Sequence, residues 1–495
     1  MEKIYADIAV VGAGPAGLCA SVAAAEEGFQ VVCFEKSGVP GGAANMGMGP
    51  FGVESRLQKA EMGTLTKEEA FTRFMDYVHW QSDANLIHDY LWNSGPTIDW
   101  LEDMGVVFAG AMKNFPQSEA TWHVVQPEDG GRPGPRCASA MNKTIFERGQ
   151  ELGVQYFFET PVKSLHCEDK IITGLTAVDK DGVEYDVEAD AVIICTGGFG
   201  TNPEMVKQYT GYTLEKDMFD FMIPGIDGDG IRMAWEVGAG KGRMEMERTG
   251  KTPLPDSIAM AHFQCRMFNN AGAIAVNLNG LRVANEDILQ NHSINGNICD
   301  YQPERSMFRI LSSDAVDYYQ EHGNDFQGKV HQFTNDEEFG PGWTKLCEEH
   351  PTICYEADSP EELAEKIGMP ADEFAKTIER YNYNCEMHFD DDFCKPRQHL
   401  IPLTGNKYYA IKIMPSAYGS LGGIKINHKL QVLTEDREWI EGLYGAGTDV
   451  NEMYNGTYFY YFPGNTMGFA VTTGRMAGQY AAAFLRELEE QMDEE

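Results

Sequence analysis

The chain opens on an unbroken apolar run at residues 4–11, then a Gly-rich turn, then small and apolar residues over 16–26. A short run without polar alternation predicts a strand buried on both faces. The small-residue stretch predicts a helix packed close to a sheet. A second run, QVVCFE at 30–35, completes a βαβ unit. Helices are predicted over 67–80, 85–103 and 142–152. Residues 105–136, rich in Gly, Pro and polar side chains, read as one long loop. Segments 154–158, 162–166, 171–178 and 183–187 read as a strand and a meander, and AVIIC at 191–195 as a separate buried strand. After about residue 268 buried strands thin out, and acidic helices are predicted at 360–367 and 371–382. Strand and turn signals return from about 405, and a long helix over 465–490 closes the pattern.

Length and charge narrow the classes. The 495 residues suffice for two to four domains, or for one large α/β domain carrying an insertion. A formal charge of −37, from 39 Lys and Arg against 76 Asp and Glu, argues against nucleic acid and anionic lipid as partners. The 11 cysteines stand singly, with no C-x-x-C pair. That excludes a thioredoxin-like redox pair, c-type haem attachment and the common zinc-ribbon spacing, and no metal site is expected. Free thiols fit a reducing cytoplasm. No run of ~18 apolar residues is present, so no membrane insertion is expected. The N-terminus shows no secretory signal pattern, and a cytoplasmic location is the expectation.

The first chemistry-bearing motif is Gly12-Ala-Gly14-Pro-Ala16-Gly17. It follows a strand, opens a helix, and is answered by Glu35 at the end of the second strand. That context marks a dinucleotide fingerprint. The helix N-terminus meets a pyrophosphate, Pro15 starts the helix at no hydrogen-bond cost, and Glu35 takes the ribose hydroxyls. A second Gly-rich loop, Gly41-Gly42-Ala43-Ala-Asn45-Met46-Gly47, follows at once and suits a long cofactor whose far end passes close to backbone. Two more strand-to-Gly turns stand at Thr196-Gly197-Gly198 and at Gly445-Ala-Gly447-Thr-Asp449.

Together these elements resemble the FAD-binding flavoproteins that include soluble fumarate reductases, succinate dehydrogenase flavoprotein subunits and 3-ketosteroid dehydrogenases. Supporting motifs are DGDGIRMAWEVGA at 227–239, VNLNGLRVANE at 276–286 and GNTMG at 464–468. The resemblance covers nearly the whole chain. It implies an α/β fold, a Rossmann-like FAD-binding domain of parallel sheet plus β-meander interrupted by an α+β capping domain. The expected parts are 1–267 and 416–495 for the FAD-binding domain and 268–415 for the cap. It also implies cofactor contacts from Gly12, Gly14, Ala16, Gly17, Glu35, Lys36, Gly41, Gly42, Ala43, Asn45, Met46, Gly47, Val162, Thr196, Gly197, Gly198, Asp229, Asp449, Gly464, Asn465, Thr466 and Met467. The last helix would aim its N-terminus at the flavin pyrimidine edge, where its partial positive charge stabilises reduced flavin. Covalently linked relatives carry a histidine in the second Gly-rich loop. Residues 41–52 hold none, so non-covalent FAD is expected.

The dicarboxylate enzymes of the family clamp their substrate with Arg and His. Here Tyr461 stands for the clamp Arg, the stretch AYGSLGG at 417–423 lacks the His that precedes a Met-Gly-Gly turn, and Asp287-Ile-Leu-Gln290 replaces an Arg relay. A bare dicarboxylate would be buried without charge partners. The stretch is more like the 3-ketosteroid dehydrogenases, where a Tyr and a Gly four residues on bond the substrate carbonyl. Tyr460 and Gly464 match that spacing. For the proton donor the candidates are Arg282, Tyr301, Tyr318, Tyr319 and His262, with His123 and Arg136 as possible substrate contacts; His166 reads as structural. The leading expectation is a reductase of a small unsaturated carbonyl compound, an enone (steroid-like) or an aryl-acrylate, fed by a separate electron donor. A 3-ketosteroid-type dehydrogenase running in the oxidative direction and a non-catalytic electron-transfer subunit are the alternatives.

Overall fold

The computed structural model describes residues 2–220, 223–259, 262–325 and 338–494. Its main sheet is built around the strand Glu2–Val11. That strand pairs in parallel with Val31–Phe34 on one side and Glu184–Ile194 on the other. Gln155–Phe157 and Trp439–Gly445 extend the parallel set at the two ends. Val162–Glu168 and Ile171–Val178 add the antiparallel meander. Residues 183–195 are not two strands, as their pattern suggests. Glu184–Ile194 is continuous, its first half alternating and its last four residues all buried. One strand that leaves a half-exposed meander and enters the core changes pattern midway.

The helix Pro15–Glu26 lies between this sheet and the closing helix Asn465–Glu494. The predicted loop at 105–136 contains a hairpin, Phe108–Met112 with Trp122–Val125. Its short arms and central Gly110 hide it from periodicity.

The insertion is not poor in strands. Tyr408–Leu421, fourteen residues long, pairs with Glu245–Lys251, Met307–Ser312, Cys354–Ala357 and Phe219–Asp220, and Ile274–Val276 adds to Met307–Ser312. A second hydrophobic core, from Leu254 to Ile413, packs on this sheet, whereas Met244, Met246, Ala417 and Leu421 belong to the first core. The second core therefore begins before residue 268. Its interior also holds a charge cluster. Arg282 is forked between Glu286 and Asp390, and Lys395 lies 3.1 Å from Glu286. Fully buried charges of this kind persist only when paired. No described helix is long and apolar enough to cross a membrane.

Candidate active site

The Gly-rich turn after the first strand has the shape the dinucleotide reading requires. A Cβ on Gly17 would lie 1.8 Å from the Gly12 carbonyl oxygen, so the helix packs on the turn only with glycine there. In front of Gly14 nothing lies within 4 Å of a Cβ position, and its helix has no side-chain N-cap. Open space before uncapped helix N–H groups suits a phosphate. The Glu35 carboxylate accepts from the N–H groups of Ala13 and Ser37, both at 2.7 Å, which fixes it beside the turn. Lys36 instead turns to Asp227 (2.9 Å) and Asp229 (2.8 Å), so the 227–239 motif is tied to the nucleotide end.

The second Gly-rich loop forms the short helix Gly42–Met46. Asn45 donates to the Pro40 carbonyl and accepts from Asn142 at 2.8 Å. Gly47 backs onto Met467 at the start of the closing helix. Val162 is buried in the meander, paired with Ala177.

Asp449 is fully buried and ties the far strands together. Its carboxylate accepts from the N–H of Thr196, the Thr196 hydroxyl (2.9 Å), Gly197 N–H (3.1 Å) and Gly198 N–H (2.9 Å). Burial pushes its carboxyl up to about 6, against those four hydrogen bonds. At the closing helix, Asn465 accepts from Tyr90 OH at 2.6 Å, while its own Nδ2 is buried and unpartnered. An open phosphate space at one end and an unspent donor at the other fit a long dinucleotide cofactor.

Tyr460 packs against the first core. Its ring is nearly parallel to two others, His292 at 5.2 Å and Phe115 at 6.2 Å. Its hydroxyl is held by Tyr418 and Asn114, and burial pushes it up to about 12. The phenol therefore keeps its proton at neutral pH and is a donor. Lys251 stands over the Tyr418 ring at 4.5 Å. Gly464 is clasped through its carbonyl, which accepts from Phe51 N–H at 2.8 Å.

Beside Tyr460 lies Glu247. Thr466 Oγ1 donates to it at 2.9 Å, and Thr466 N–H donates to Tyr458 OH at 3.0 Å. Burial pushes the Glu247 carboxyl up to about 8, although Thr466 and Lys251 pull it down. Glu247 lies on Glu245–Lys251, where the pairing shifts between Met246 and Arg248. A bulge lets two successive residues, Met246 and Glu247, both face inward. Strict alternation would have put one of them outside, so no signal in the sequence marks this carboxyl. Asn114, His292, Tyr418 and Lys251 escaped as cluster members for a related reason, since they arrive from four separate segments.

The other candidates lie elsewhere. Arg282 spends four of its five N–H donors on Glu286 and Asp390, at 2.7–2.8 Å, inside the second core. Tyr301 is 91% exposed, and Tyr318 stacks on His322 at the surface. Tyr319 is buried and accepts from Gly272 N–H. His262 leads a short helix. His123 is wholly buried: its Nδ1 faces the Thr121 carbonyl, so that nitrogen carries the hydrogen, and its Nε2 accepts from Ser55 OH. Burial lowers His123 to about 4, which keeps it neutral. Arg136 is exposed.

Glu247 gives a pH test. The folded chain keeps a proton that the unfolded chain releases above about 4.5, its ordinary value. Stability therefore falls as pH rises from there towards about 8. Glu247→Gln removes that slope. The variant should melt near wild type at pH 5 and above it at pH 8; parallel melting curves across that range would contradict the raised carboxyl.

Comparison with known proteins agrees with this geometry. The family described as FAD binding domain matches residues 7–460. The vinyl phenol reductase of Lactiplantibacillus plantarum is 30% identical over 497 residues, covering 97% of this chain and 96% of that one. The urocanate reductase of Eggerthella lenta is 29% identical over 489 residues, covering 96% and 74%. Fumarate reductases are also among the relatives. In fold, the chain matches 3-ketosteroid-Δ4-(5α)-dehydrogenase from Rhodococcus jostii with a TM-score of 0.77 at 22% identity, over 97% of this chain and 98% of that one.

Proposed function

Since this chain belongs to the FAD-binding domain family and is a FAD-dependent oxidoreductase, we propose that it reduces a carbon–carbon double bond conjugated to an aromatic ring, of the aryl-acrylate class. The observation that carries this reading is the protonated Tyr460 hydroxyl held by Tyr418 and Asn114, with one cation, Lys251, on the Tyr418 face. One phenol donor and one ammonium match a single carboxylate or phenolate oxygen. They do not match the paired carboxylates of a dicarboxylate. The rings of His292, Tyr460 and Phe115, nearly parallel to one another, give the pocket an aromatic lining suited to a ring-bearing substrate. Vinyl phenol and urocanate, named by two relatives, both carry the double bond on a ring.

FAD, when bound, supplies hydride to the double bond. The Gly12–Gly17 turn holds its pyrophosphate end, Glu35 its ribose, and the Asp449-braced Thr196–Gly198 turn and the start of the closing helix its flavin end. Tyr460 donates to the substrate oxygen and stabilises the charge that develops there. Lys251 draws in the anionic end. Glu247 keeps a proton at neutral pH and supplies it to this pocket. The second core, from Leu254 to Ile413, acts as the cap. Reducing equivalents come from a separate donor.

FAD is held without a covalent bond in this account, because residues 41–52 contain no histidine. Acid precipitation should leave the flavin in solution, and flavin remaining on the pellet would overturn that statement. The function itself is tested by anaerobic mixing of reduced holoenzyme with 4-hydroxycinnamate. The saturated acid should form in step with flavin reoxidation.

A further inference from the structure

Two acceptors share the first turn of the closing helix Asn465–Glu494. Thr466 Oγ1 donates to the Glu247 carboxyl at 2.9 Å, and Thr466 N–H donates to the Tyr458 hydroxyl at 3.0 Å. Glu247 is only 4% exposed, so its charge is felt by whatever shares that turn. The groups that face it come from three elements. Lys251 lies farther along its own strand, and the phenols of Tyr454, Tyr458 and Tyr460 come from the segment before the helix. Tyr418, which holds the Tyr460 hydroxyl, stands opposite in the register gap between the Met246–Ser420 and Arg248–Ala417 pairs. Arg248, next in sequence, is spent on Asp300 at 2.7 Å. Burial pushes the Tyr460 phenol up to about 12 and holds Tyr454 and Tyr458 well above their ordinary value. The phenols therefore stay neutral where Glu247, pushed up to about 8, changes its charge.

A helix N-terminus carries about half a positive charge. It stabilises one anion well, not two. Two groups compete for this end: the Glu247 carboxylate, reached through Thr466, and the negative charge that flavin gathers on its pyrimidine edge when reduced. A carboxyl beside a like charge in a buried site holds its proton more tightly.

We propose that Glu247 is coupled to the redox state of the bound flavin, taking up a proton as the flavin accepts two electrons and giving it up as the flavin is reoxidised. The inference rests on the reading that the start of the closing helix holds the flavin end, and it does not depend on the substrate. The balance closes. Reduction by two electrons brings one proton to the flavin and, wherever Glu247 begins ionised, a second to its carboxylate. Saturating a double bond consumes a hydride, which is two electrons and one proton, and one further proton. Electron entry loads both, so the reduced enzyme always holds the proton that its hydride needs.

The test is the midpoint potential of FAD-loaded protein, followed by spectroelectrochemistry without substrate. A pH unit is a tenfold change in proton activity, worth about 30 mV per proton for a two-electron couple. The wild-type slope should steepen from about 30 to about 59 mV per pH unit above about pH 8, where Glu247 ionises in the oxidised protein. Glu247→Gln cannot ionise, still offers Thr466 an acceptor, and should stay at about 30 mV per pH unit throughout. A pH indicator gives a second reading on the wild type alone. Electrochemical reduction well above pH 8 should take up close to two protons per flavin, against one at neutral pH. A straight wild-type line, one proton at both pH values, or a break that survives in Glu247→Gln would each overturn the proposal. With no substrate present, such a failure leaves the aryl-acrylate reading standing.

Discussion

Replacing Tyr460 by phenylalanine should lower the rate of flavin reoxidation by an aryl-acrylate about 100-fold or more, with flavin content unchanged. The size follows from losing one preorganised donor aimed at developing charge in a water-poor site. The substitution keeps the ring, so the parallel packing on His292 and Phe115 survives. Only the hydroxyl is lost, and with it the contact to Tyr418 and Asn114. Anaerobic stopped-flow mixing of reduced enzyme with substrate reads the effect directly. Near-normal rates in the variant would show that the hydroxyl does not touch the reacting oxygen. A fall in affinity with an unchanged limiting rate would assign Tyr460 to ground-state binding instead.

Asp449→Ala should yield a protein that purifies with little or no flavin and melts well below wild type. The carboxylate is the common acceptor for three backbone N–H groups and one hydroxyl, all from Thr196 to Gly198. Truncation leaves those donors buried without an acceptor. At about 1–3 kcal/mol for each, the loss reaches several kcal/mol, a large share of the roughly 5–15 kcal/mol that holds a domain folded. The Thr196–Gly198 turn, proposed above to hold the flavin end, would then lose its shape. Asp449→Asn keeps one acceptor oxygen and should retain part of the flavin. Full flavin content in Asp449→Ala, with an unchanged melting temperature, would contradict this bracing role.

Much of the cofactor half was legible because its signals are local. The turn Gly12–Gly17, the strand before it and Glu35 lie within one βαβ unit, so spacing alone places them. The closing helix was legible for the same reason. The cap was harder. Its sheet depends on Tyr408–Leu421, whose pattern is broken by Lys412 and Pro415, and on Ile274–Val276, only three residues long. Neither stands out as a strand until its partner is beside it. The reacting pocket was hardest. Tyr460 was found through family resemblance, yet its partners come from residues 114, 292 and 418, and no spacing links them. Glu247 needed a bulge to turn it inward. Arg282, conspicuous in its motif, belongs to a buried charge cluster with Glu286 and Asp390.

The central claim is that this site reduces a ring-conjugated double bond and is not built for a dicarboxylate. Stopped-flow mixing of anaerobic, reduced holoenzyme with 4-hydroxycinnamate and, separately, with fumarate tests it most directly. The oxidised-flavin absorbance should return at least about 100-fold faster with the aryl-acrylate, because Lys251 beside Tyr418 offers one ammonium for one anionic end and leaves a second carboxylate to be buried at a cost. Reoxidation by fumarate at an equal or greater rate, or none with the aryl-acrylate, would contradict the account.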